Sequence, residues 1–152
     1  MYYFKNDETD FTATFGSNVC PEGWSTPTQE EIDAYLLQQA KNDKLATLRS
    51  DLYNFEMLGI VYNNWTFDLH MIGVENVEMV NEAPLSMEDR YKYFDKGKTQ
   101  RDFSNESGFS AFKDAVVVER NRIMVKLNGY EASIQAASTI AEINAITIDF
   151  SA

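Results

Sequence analysis

Residues 109–137 read Phe-Ser-Ala-Phe-Lys-Asp-Ala-Val-Val-Val-Glu-Arg-Asn-Arg-Ile-Met-Val-Lys-Leu-Asn-Gly-Tyr-Glu-Ala-Ser-Ile-Gln-Ala-Ala. Within them Phe109, Phe112, Val116, Ile123, Leu127, Tyr130, Ile134 and Ala137 follow three- and four-residue steps, broken only by the polar pair Glu119–Arg120. Side chains at that spacing stack on one helix face, so the segment predicts one amphipathic helix. At about 29 residues it would run roughly 44 Å. So long an apolar stripe needs a second long element to cover it, and the rest of the chain is read for that element.

The cover lies upstream. Thr26-Pro27-Thr28-Gln29 signals a helix start, with Thr26 as cap, Pro27 at the first helical position and Gln29 closing a capping box. Glu30, Glu31 and Asp33 follow, where the helix dipole favours negative charge. Ile32, Tyr35 and Leu36 start an apolar register that lapses over Gln38–Lys44 and resumes at Leu45, Leu48, Leu52 and Phe55. This predicts a helix over about 27–58 with an exposed middle, or two helices meeting near Asn42. Gly59 is its stop.

Two hairpins are expected between the long helices. In the first, Ile60, Val61, Tyr62, Trp65, Phe67 and Leu69 flank Asn63-Asn64, residues that tolerate the positive φ of a tight turn. In the second, Tyr91, Tyr93, Phe94 and Phe103 flank Asp95-Lys96-Gly97-Lys98, with glycine at the turn. Met71–Ala83 is loosely helical and ends before Pro84, and Asn105 or Ser107 caps the long helix. Thr139 and Glu142 form a capping box for a short helix to about Ile146, after which Thr147–Phe150 predicts a terminal strand. At the N-terminus, Tyr2, Phe4, Phe11, Ala13 and Phe15 surround a polar turn at Asn6–Asp10, an expected hairpin that Trp24 anchors. The fold class is therefore α+β. Two long antiparallel helices carry two β-hairpins in a small sheet, with residues 1–26 a β attachment segment and 27–152 a helix–hairpin–helix–hairpin–helix domain. Leu45, Leu48, Leu52 and Phe55 are expected to face Phe112, Val116, Ile123 and Leu127.

Composition bounds the chemistry. The 152 residues carry 24 acidic against 13 basic side chains, a formal charge of −11 that repels phosphate backbones and anionic lipid. Neither nucleic acid nor membrane is an expected partner. Cys20 is the only cysteine, so no intrachain disulfide forms, and a lone thiol fits a reducing compartment. The first residues lack the basic-then-apolar order of a signal peptide, and no apolar run approaches the 18 or so residues of a membrane span.

Motifs for catalysis are weak. His70 is the only histidine, and a Cys20–His70 nucleophile pair would have to form across two elements. One cysteine and one histidine are too few for a zinc site, and no run matches a calcium loop, though Asp7-Glu8-Thr9-Asp10 could hold a cation weakly. Lys96-Gly97-Lys98-Thr99 resembles the end of a phosphate-binding loop, but position 92 is lysine where that loop needs glycine, and a hairpin surrounds it. Its lysines are read as solvating a turn. No catalytic, metal or cofactor residue is assigned, and no cofactor is expected.

The order of motifs carries a resemblance. Lys44-Leu-Ala-Thr-Leu-Arg49, Gly59-Ile-Val-Tyr-Asn-Asn-Trp-Thr-Phe-Asp68 and Ile134-Gln-Ala-Ala-Ser-Thr-Ile-Ala-Glu-Ile-Asn-Ala-Ile146 resemble a phage tail-region domain of unknown function over roughly two-thirds of the chain. Cys20-Pro-Glu-Gly-Trp-Ser-Thr-Pro-Thr-Gln-Glu-Glu-Ile32 is similar to the N-terminal part of tail-fibre assembly proteins. The resemblance implies a non-enzymatic tail component or fibre-assembly protein, in the virion tail or in the host cytoplasm during assembly. Its expected partner is a tail fibre or baseplate protein, with a second copy of the chain as a further candidate. Tyr2, Tyr3, Phe4 and Trp24, with Gln38, Gln39 and Lys41 of the exposed helix middle, are the candidate partner-binding residues. The alternative is a carbohydrate- or receptor-binding module using Trp65, Phe67 and the Tyr91–Phe94 rings, if those stand exposed in a groove. An enzyme would need His70 in a pocket beside an acid and a nucleophile.

Overall fold

The structure is a computed structural model that describes residues 1–6, 11–14, 18–69 and 91–151. The loosely helical segment 71–83, His70, Phe15 and the acidic turn 7–10 lie outside the described residues.

The first long helix, α1, runs Gln29–Glu56 without a break at Asn42. Its cap is Thr28, not Thr26: the Thr28 hydroxyl accepts from the Glu31 N–H while the Glu31 carboxylate accepts from the Thr28 N–H. An ionised carboxylate is a stronger acceptor at a helix N-terminus than the Gln29 amide, and Pro27 is left buried just outside the helix. The second long helix, α2, spans Glu106–Ala136 and is capped by Asn105 through Gly108 N–H. Phe109, Phe112, Val116, Ile123 and Ile134 are buried along it, as the stripe predicts, with Leu127 and Tyr130 half-covered. A short helix, α3, Ile140–Ala145, carries the expected Thr139–Glu142 box.

Two contacts fix the direction of packing. Lys41 Nζ donates to Gln135 O at 2.7 Å, and the Arg122 guanidinium sits 5.7 Å from the centre of the Phe55 ring. Moving up α1 thus means moving down α2, so the pair is antiparallel. The same register corrects the expected facing of residues. Positions 41–55 lie along 122–135, which puts the Leu45–Phe55 face with its buried Leu48 beside Ile123, Leu127 and Ile134. Phe112 lies beyond the end of α1 and is covered by the hairpins. The polar break in the stripe falls at this junction, where Glu119 and Arg122 pair at 2.6 Å.

Helix α1 ends because Gly59 turns the chain. Its φ is +85°, and its N–H donates to Glu56 O. The Cartesian room for the turn is small: a Cβ there would lie 2.2 Å from Phe67 O. Strands β1 (Tyr2–Asn6), β2 (Phe11–Thr14) and β3 (Trp24–Ser25) form an antiparallel sheet in the order β2-β1-β3. Trp24 does anchor the N-terminal hairpin, pairing with Asn6. Strands β4 (Ile60–Tyr62) and β5 (Trp65–Phe67) make the first central hairpin. Asn63 and Asn64 sit at φ 50° and 64°, the left-handed pair of a type I′ turn. Strands β6 (Lys92–Phe94) and β7 (Gln100–Asp102) make the second. Gly97 lies in its turn, but the left-handed residue is Lys98, at φ 60°.

The two hairpins keep separate two-stranded ladders, joined by Lys96 N–H donating to Thr66 O at 2.7 Å. Lys96 does more than solvate a turn. Its ammonium donates to Met57 O at the end of α1, a helix with no basic residue in its own last turn. A cation placed there offsets the negative end of the dipole. Lys96→Met should therefore lower stability by about 0.3–1 kcal/mol in urea titrations, with a smaller loss at high salt.

The expected terminal strand is absent. Residues 147–150 instead form an extended strap, with Phe150 buried against Phe55 and Tyr130 at ring distances of 5.9 and 5.8 Å. The Tyr130 hydroxyl accepts from Asp149 N–H and donates to Asp149 O, and Lys126 Nζ also donates to that carbonyl. Side chains of α2 satisfy the backbone that a strand partner would otherwise pair.

Candidate interaction surface

The N-terminal sheet is mounted on the first turns of α1. Tyr3 packs edge-on to Tyr35 at 6.2 Å, and the Lys5 ammonium pairs with the Glu31 carboxylate. Glu31 thus closes the helix cap and holds the sheet at once. The Lys5 hydrogen bond, then the Thr28 N–H, pulls its carboxyl below the ordinary value of 4.5. A lowered folded value means that this stabilisation is present above 4.5 and lost as pH falls through the folded value. Glu31→Gln should accordingly lower the thermal midpoint at pH 7, and the gap to wild type should close on acidification below 4.5. A gap unchanged with pH would show that the carboxylate charge contributes nothing.

The candidate partner-binding residues divide by exposure. Tyr2, Gln38 and Gln39 face solvent. Gln38 Nε2 donates to Asn42 Oδ1 at 3.0 Å, and Gln39 Nε2 donates to the Tyr35 hydroxyl, so both amides lie along the helix surface. Tyr3 and Trp24 are half-buried. Lys41 is half-buried and its ammonium is spent on Gln135 O, tying α1 to the end of α2. Phe4 is 3% exposed, so its ring is part of the interior and offers no surface to a partner. An apolar residue between two tyrosines on a strand points to the opposite face from both, which is why adjacency in sequence did not place the three rings together.

A groove that the sequence reading missed lies beside this region. Asp33, Ala34, Leu36 and Leu37 of α1 face Ser138, Thr139 and Ile140 across a cleft of about 410 Å³. Ile140 is 41% exposed there. The available signal was Leu36-Leu37: neighbours about 100° apart on a helix cannot both lie at the centre of one stripe.

The strand aromatics sit mostly inward. Phe67 is fully buried 4.5 Å from Phe112, Tyr93 packs 6.1 Å from Phe112, and Tyr91 6.2 Å from Phe109. Trp65 is half-buried, with its edge toward Phe103 and the Arg101 guanidinium 5.3 Å from its ring centre. Phe94 alone of the set stands out, at 59% exposure. Asp95 holds Arg101 at 2.6 Å, and the Thr99 N–H followed by Arg101 draws its carboxyl below the usual range.

Cys20 Sγ donates to Trp24 O at 3.1 Å. His70, and with it the Cys20–His70 pair, lies outside the described residues. Among the described residues no three potential ligands converge on a metal position, and no helix is long and apolar enough to cross a membrane. No family model, no curated protein and no solved structure matches the chain.

Proposed function

We propose that the chain is a non-enzymatic component of a bacteriophage tail that acts by protein–protein docking, either built into the fibre or baseplate region or assisting fibre assembly. It would then act in the virion tail or in the host cytoplasm during assembly. The motif resemblance described above motivates the assignment. One structural observation supports the docking mode: residues 29–47 of α1 contain no buried side chain, although the helix is continuous and the N-terminal sheet is fixed to it. The body of the protein satisfies its own core elsewhere, around Leu48, Phe67, Phe112 and Ile123. A long helix held out of that core, carrying Tyr2, Gln38 and Gln39 outward, suits a docking arm.

Removal of residues 1–26 should abolish incorporation into purified phage particles, or abolish fibre assembly, while the remaining helical body stays folded by circular dichroism. Unchanged incorporation and unchanged fibre assembly would remove the docking arm from this reading. Mass spectrometry of mature particles separates the two roles: presence of the polypeptide supports a structural part, and absence combined with a fibre defect in the knockout supports a chaperone. The burial of Phe67 and the half-burial of Trp65, Tyr91 and Tyr93 weigh against a carbohydrate- or receptor-binding platform built on those rings.

A further inference from the structure

The exposed apolar side chains concentrate at opposite ends of α1, and the two ends carry opposite charge. At the C-terminal end, Leu58 is 67% exposed, Val61 68% and Phe94 59%. They belong to one end because Lys96 links Met57, next to Leu58, with Thr66, which pairs with Val61. Val61 and Phe94 point outward because their neighbours Tyr62 and Tyr93 pack against Phe112. Around them the second hairpin, residues 92–102, holds Lys92, Lys96, Lys98 and Arg101 against Asp95 and Asp102, a net positive segment in a chain of −11.

The other end is its complement. The groove between α1 and α3 is lined by Leu36, Leu37 and Ile140 with Asp33 on its wall. Residues 18–40 contain Glu22, Glu30, Glu31 and Asp33 and no lysine or arginine. From residue 36 to the helix end is about 20 residues, or roughly 30 Å. One surface cannot reach the other within the same molecule.

We infer that the occupant of the groove is the hairpin end of a second copy of this chain, with Phe94 as the apolar anchor and the hairpin lysines facing the acidic wall. The two surfaces differ, so the contact is head-to-tail, and repetition builds a ring or a filament according to the rotation at each step. This is independent of the tail assignment and concerns the purified chain alone.

Light scattering coupled to size exclusion should show concentration-dependent association of the wild-type chain, weakened as salt rises from about 0.05 to about 0.5 M. Phe94→Ser and Ile140→Ser each remove one anchor at an exposed position, and each should weaken self-association at least about tenfold. Mixed in equal amounts, the two variants should form 1:1 complexes, because one retains an intact groove and the other an intact hairpin end. Circular dichroism checks that each variant keeps its helices, and Val61→Ser replaces Phe94→Ser should that variant lose them. A wild-type chain monomeric up to about 1 mM would overturn the proposal. Association indifferent to salt or to both substitutions would also overturn it, as would variants that fail to complement each other on mixing.

Discussion

Truncation of Phe112 to alanine should cost about 3–5 kcal/mol, the range for removing a fully buried aromatic ring. Phe112 has no exposed surface and stands where α2 passes beyond α1 into the two hairpins. Its ring centre lies 4.5 Å from Phe67, 4.6 Å from Phe103 in a near-parallel stack, 5.5 Å from Tyr62 and 6.1 Å from Tyr93. These rings come from both hairpins and from the loop before α2, so the cavity left by alanine would be shared by elements that meet only through Phe112. Collapse is difficult when the walls are themselves large planar rings, which places the loss toward the upper part of the range. Urea unfolding checks the value. A loss below about 1 kcal/mol would mean that the hairpins hold their positions without the ring.

Gly59→Ala should be of comparable size, for a different reason. Left-handed backbone costs an L-residue about 1–2 kcal/mol, and at Gly59 the new methyl would also meet Phe67 O at 2.2 Å and Thr66 Cγ2 at 3.2 Å. The carbonyl belongs to the strand that pairs with Ile60, so it can move only by opening the first hairpin. A loss of about 3 kcal/mol or more is expected. Gly23→Ala is the control: its φ is +79°, but nothing lies within 4 Å of the added carbon. That variant should show the backbone cost alone, about 1–2 kcal/mol. Equal losses at the two positions in urea titrations would show that the contact with Phe67 relaxes freely.

What the sequence determined by itself is what depends on residues a few positions apart. The stripe from Phe109 to Ile134, the Asn63-Asn64 turn and the Thr139–Glu142 box are each written in spacings of two to four residues, and each stands where it was expected. The start of α1 shows the limit even of that kind of signal. Thr26 and Thr28 both offered a cap, and the choice fell to Thr28, where the third residue on is an ionisable carboxylate that also reaches Lys5.

Tertiary structure decided which surface each stripe meets. Gly59 ends α1 opposite Arg122, so the first turns of α2 project past it and bury Phe112 in hairpin rings instead of leucines. No local spacing records how far one helix outruns another. The same holds for Phe4, which packs inward beside an outward Tyr2, and for Lys96, whose ammonium closes a helix thirty-nine positions away. The extended strap at residues 147–150 kept the apolar alternation of a strand while Tyr130 and Lys126 took its backbone bonds. Local hydrogen bonds and side-chain period are properties of a short segment; burial is a property of where two distant segments stop.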